Sequence, residues 1–68
     1  MTYDDLKPGD IVTFKTGYWF EVLSVRDGAQ PTTVRITAHE HTPTGATIYS
    51  SSERTHKRAT RVEGTVTR

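Results

Sequence analysis

Between Thr32 and Glu40 apolar and polar residues alternate without a break. Val34, Ile36 and Ala38 project to one side, and Thr33, Arg35, Thr37 and His39 to the other. A period of two marks a strand with one face in a core and one in water. The same period, over a shorter span, runs through Asp10–Lys15, where Val12 and Phe14 oppose Ile11 and Thr13. Tyr18–Arg26 reads as a long second strand, rich in aromatic and β-branched residues. Its two faces are mixed: Tyr18, Phe20, Val22 and Ser24 against Trp19, Glu21, Leu23 and Val25. A bulge or strong bend near Phe20–Val22 is therefore expected to turn the best apolar residues inward. Ala46–Ser51 predicts a fourth strand centred on Ile48 or Tyr49, and Thr60–Val66 holds the last.

Turn chemistry separates these runs. Pro8-Gly9 precedes the first strand, Thr16-Gly17 the second, and Thr42-Pro43-Thr44-Gly45 the fourth. Asp27-Gly28-Ala29-Gln30-Pro31 is the clearest turn, where Asp-Gly is expected to supply a positive φ and Pro31 to stop pairing. Thr2–Lys7 has weak helical or loop character, with Leu6 as its anchor in the core. Ser50-Ser51-Ser52-Glu53 carries a helix-start pattern. Only Ala59 and Val62 follow it as apolar residues, so an irregular connector or one helical turn is expected there.

Five short strands at roughly ten-residue spacing predict an all-β domain spanning residues 1–68. It should be a five-stranded small barrel or rolled antiparallel sheet with at most one short helical turn. Pro8-Gly9-Asp10-Ile11-Val12 followed by Glu21-Val22-Leu23-Ser24-Val25 resembles the first two strands of SH3-like barrels, including Tudor and KOW-type modules. The resemblance covers about the first third of the chain and implies a fold. KOW modules carry further glycines between these strands, where this chain has Gly17 and then Tyr18-Trp19-Phe20.

At 68 residues such a chain buries only roughly 60% of its unfolded surface, so its core must be small. There is no cysteine to form a disulfide, bind zinc or act as a nucleophile. The longest apolar run, Tyr18-Trp19-Phe20, is far too short to span a membrane, and no signal-peptide pattern opens the chain. A cytoplasmic protein without membrane association is expected. Net charge is only +1, but its distribution is uneven. Residues 1–52 carry four basic and six acidic side chains, residues 53–68 five basic and two acidic.

Three features carry candidate chemistry. Tyr18-Trp19-Phe20 offers stacking surface for a peptide or a base, or else simply fills the core. Adjacent strand residues point to opposite faces, and Trp19, sharing a face with Glu21, is expected outside. His39-Glu40-His41 places two imidazoles on one side of a strand, with His56 as a third nitrogen. No cysteine or suitable carboxylate completes a metal shell, so no metal or cofactor is expected. Arg54, Lys57, Arg58 and Arg61 form a basic segment suited to phosphates, or to protecting a strand edge. No nucleophile elbow, phosphate loop or triad is legible. Asp4, Asp5 and Asp10 fit turn chemistry better than acid–base catalysis.

The chain therefore reads as a non-enzymatic binding module acting through protein–protein contacts, with Tyr18, Trp19, Arg35 and His39 as contact residues. From its Thr- and Arg-rich, Lys-poor composition a small bacterial or phage accessory protein is expected. One alternative is a nucleic-acid-binding barrel that uses Arg54, Lys57, Arg58 and Arg61. Another is a structural homo-oligomer built by edge-strand pairing.

Overall fold

In the turn before the first strand, the Asp10 N–H donates to the Lys7 carbonyl at 3.0 Å, and the Asp10 carboxylate accepts the Lys7 N–H at 2.8 Å. Gly9 takes φ +92°, as the third position of a Pro-Gly turn demands. The computed structural model describes residues 1–68. A 3-10 turn at Tyr3–Asp5 precedes five antiparallel strands: β1 (Ile11–Thr13), β2 (Trp19–Asp27), β3 (Thr33–His41), β4 (Thr47–Lys57) and β5 (Thr65–Thr67). They form one sheet in the order β4-β3-β2-β1-β5. The sheet rolls without closing: β4 and β5 are its edges and do not bond to each other. Of the two forms expected, the rolled sheet is the one observed.

The β1–β2 and β3–β4 hairpins close with similar three-residue loops. Phe14 N–H donates to Tyr18 O, and Thr42 N–H to Ala46 O, each at 2.9 Å. The two loops touch, because a Cβ placed on Gly17 would sit 3.1 Å from the Pro43 Cβ. The β2–β3 hairpin departs from expectation. Gly28 does not adopt a positive φ. Its N–H donates to Thr33 O at 3.0 Å, and a Cβ there would overlap the Thr33 hydroxyl. Glycine serves close approach at this position.

The expected β2 bulge exists one residue later, at Leu23. Val22 pairs with Ala38 while Ser24 pairs with Thr37, so Leu23 is the extra residue. Its effect on burial is direct. Without it Ser24 would follow Val22 onto the inner face; with it Val25, the partner of Ile36, packs against the core. That core holds Val34, Ile36 and Ala38 of β3, as their alternation predicts, with Val12, Val22, Leu6, Tyr3 and Val62.

β4 departs from the expected Ala46–Ser51 strand. It spans eleven residues and runs through the segment assigned to a connector or helical turn. Its apolar pair lies outside the core, Ile48 at 41% and Tyr49 at 54% exposed. The physical reason is register. Ser52, Arg54 and His56 pair with Ala38, Ile36 and Val34, so β3 templates β4 although β4 brings no apolar stripe. Toward its start β4 spends three residues, Ser52 to Tyr49, on the step from Ala38 to Glu40, and two on the step to His41. These irregularities bend that half of the strand.

Candidate functional site

The inner face of the rolled sheet is only partly filled. Between β4 and the β1–β2 side lies an apolar groove of about 260 Å³. Phe20, Ile36 and Ala38 form its floor, Phe14 and Tyr18 one flank, and Ser52, Arg54 and His56 of β4, with Tyr3 against His56, the other. Trp19, His41 and Ile48 stand at the end beside the two touching loops. Phe14 and Phe20 pack with ring centroids 5.8 Å apart. Such a groove, mostly apolar with a few polar groups at one wall, is the usual form of a binding site.

Trp19 is half-buried rather than free-standing, because its register partner His41 stacks on it at a centroid distance of 4.0 Å. Tyr18, 46% exposed, is the open member of the aromatic triplet. The Nδ1 atom of His41 is buried without a hydrogen-bond partner, a state that costs about 1–3 kcal/mol.

The polar wall is held by an ion pair. Arg54 Nε and Nη2 donate to the two oxygens of Glu40 at 2.7 and 3.1 Å. This pairing holds the Glu40 carboxyl below its usual range, with burial opposing, and raises the Arg54 guanidinium. His56 stacks on Tyr3 at 3.9 Å. Burial, and secondarily the Arg54 charge, lowers the His56 pKa, so it lines the groove as a neutral imidazole at pH 7. Burial, helped by Glu63, raises the Tyr3 phenol.

The four residues expected to contact a protein separate. Tyr18 and Trp19 border the groove at its loop end; Arg35 and His39 lie on the convex face, where the Trp19–His41 stack adjoins His39. Arg35 and Arg26 share Glu53 there, each at 3.7 Å. His39 neighbours His41 at 6.3 Å between ring centroids. Glu40 points to the inner face with Arg54 and His56 stacks on Tyr3, so these do not converge with His39 and His41 on one ion.

The basic segment also divides. Arg54 is bound to Glu40, and Arg58 is engaged four times. Arg58 donates to Asp4 at 2.9 Å, Asp27 at 3.0 Å, and the carbonyls of Pro31 and Thr33 at 3.2 and 3.1 Å. Its carboxylate partners, Asp27 and then Asp4, raise its pKa. Lys57 and Arg61 make no ion pair; Arg61 lines a separate polar crevice with Lys15 and Glu63. Sequence reasoning missed Tyr3 and Ile48 as groove residues. The Gly45 turn is the signal that pairs His41 with Thr47 and so brings Ile48 to the end of the groove.

No helix is long and apolar enough to cross a membrane. Compared with protein-family models, curated proteins and solved structures, the chain matches none.

Proposed function

We propose that this chain is a non-enzymatic protein-binding module related in fold to the SH3-like type but with an open, rolled sheet, whose groove takes apolar side chains of a partner protein. One observation carries the reading: a 260 Å³ apolar groove stands open in a chain with only nine buried residues. Leaving aromatic surface unfilled in so small a core is costly, and an occupant removes that cost. Arg54 and Arg58 are neutralised within the chain, which leaves Lys57 and Arg61 as the segment's free cations and disfavours the nucleic-acid alternative. The unpaired edge of β4 favours a second reading, pairing between copies.

The test uses Trp19, the only tryptophan, as reporter. Blocked valine-containing octapeptides should shift its emission saturably. Ile48→Ala should weaken that binding about fivefold, the effect of losing part of one aliphatic contact, with an unchanged Tm. An emission spectrum insensitive to every such peptide overturns the reading.

A further inference from the structure

β4 is both a wall of the groove and a free edge, and its hydrogen-bond phase says how the two combine. Arg58 N–H donates to Thr32 O at 2.8 Å, one step beyond the Thr33–Lys57 register pair. In an antiparallel ladder bonded and non-bonded pairs alternate. Ser52, Arg54 and His56 therefore bond to β3, while Glu53, Thr55 and Lys57 aim their N–H and C=O groups outward. The Lys57 carbonyl accepts from Thr60 N–H at 3.1 Å; the outward groups of Glu53 and Thr55 have no partner in the fold. The bends at Tyr49–Ser52 disrupt the earlier half, so the straight, open stretch is Ser52–Lys57.

A strand laid along that stretch alternates its own side chains. Residues opposite Arg54 and His56 enter the inner face, where the groove is apolar and the Arg54–Glu40 pair is already neutral. Residues opposite Thr55 and Lys57 lie on the convex face. There Arg26, Arg35 and Lys57 face Glu53 alone, an excess of positive charge. A second copy's β4 fits poorly, since it would bring Ser52, Arg54 and His56 to the apolar side.

We propose that the partner is an extended segment alternating apolar and acidic residues, which adds to the outer edge of β4 as a sixth strand. Its apolar side chains fill the groove and its carboxylates meet Lys57 and Arg35. This rests on the groove reading above and adds the strand geometry and the charge.

The experiment follows Trp19 emission with blocked octapeptides alternating valine–aspartate, valine–lysine and serine–aspartate, against the full chain and two variants. Thr55→Pro removes an outward N–H that no internal bond uses and leaves β3–β4 pairing intact. Lys57→Glu reverses the charge. The valine–aspartate peptide should bind, weaken as salt rises and lose binding to Thr55→Pro. Lys57→Glu should shift preference about fivefold toward valine–lysine, the scale of an exposed charge pair. Equal binding of valine–aspartate and valine–lysine overturns the acidic partner and leaves the groove reading standing. Binding that survives Thr55→Pro overturns strand addition. Equal binding of serine–aspartate, or no binding at all, overturns the groove reading with it. A dimer in light scattering that Thr55→Pro dissociates overturns the proposal in favour of a second copy.

Discussion

β3 and β4 are paired strands of nine and eleven residues, yet they belong to different parts of the energy balance. β3 has neighbours on both sides and puts Val34, Ile36 and Ala38 into the core. β4 has one neighbour and places Ser52, Arg54 and His56 opposite those three residues. The backbone geometry is shared; the source of stability is not. β3 is held by burial and by two ladders, β4 by one ladder, the ion pairs of Arg54 and Glu53, and the stack of His56 on Tyr3. A strand held so lightly is a suitable place for binding, because its open side and polar wall contribute little to folding.

Register pairs allow this contrast to be tested residue against residue. The largest difference should come from Arg35 and Thr55, which face each other. Arg35→Pro removes a ladder bond between β2 and β3 and should cost about 3 kcal/mol or more. That is comparable with the whole stability expected of so short a domain, so urea unfolding should find little folded protein. Thr55→Pro should move the midpoint by less than about 1 kcal/mol. Next come Ile36 and Arg54, also partners. Ile36→Ala leaves a cavity costing about 2–5 kcal/mol. Arg54→Ala should cost about 1 kcal/mol, since the guanidinium is more than half exposed and water screens the pair. Equal costs at either pair would erase the distinction.

A smaller effect separates the two histidines. His41→Phe keeps the stack on Trp19 and removes a buried nitrogen without a partner, so stability should rise by about 1 kcal/mol in the same urea assay. His56 acts through pH. Its folded pKa is lowered by burial, so the unfolded chain binds its proton more readily. Stability is therefore complete above the ordinary value of 6.5 and falls as pH drops below it. His56→Gln should flatten that slope in a pH series of melting temperatures. Glu40 enters separately, losing its stabilising ionised form only below its usual value of 4.5.

The same contrast explains what was legible in the residues. Alternation over Thr32–Glu40 reads directly because one face of β3 is dry. β4 has no such face: Ser52, Arg54 and His56 look inward, and Ser50–Glu53 imitates a helix start. Its length comes from β3's hydrogen bonds, which no local pattern of its own records. Tyr18 and Trp19 stand out in the sequence by their aromatic surface, and both border the groove. Arg35 and His39 read as their companions in the sequence, because strand alternation does not say which face carries a groove. The Arg54–Glu40 pair needs the hairpin register, so composition alone left Arg54 a free cation.

Arg58 ties residues far apart in the chain, Asp4 at a separation of 54 and Asp27 at 31. The consequence is kinetic. Contacts that span most of a chain have the largest loop-closure entropy to overcome, and they form after the local hairpins. A clamp made late is absent from the transition state, so Arg58→Ala should steepen spontaneous opening while leaving refolding almost unchanged. In stopped-flow experiments the unfolding arm alone should rise. Arg58 would then govern how long each folded molecule persists rather than how fast it is made.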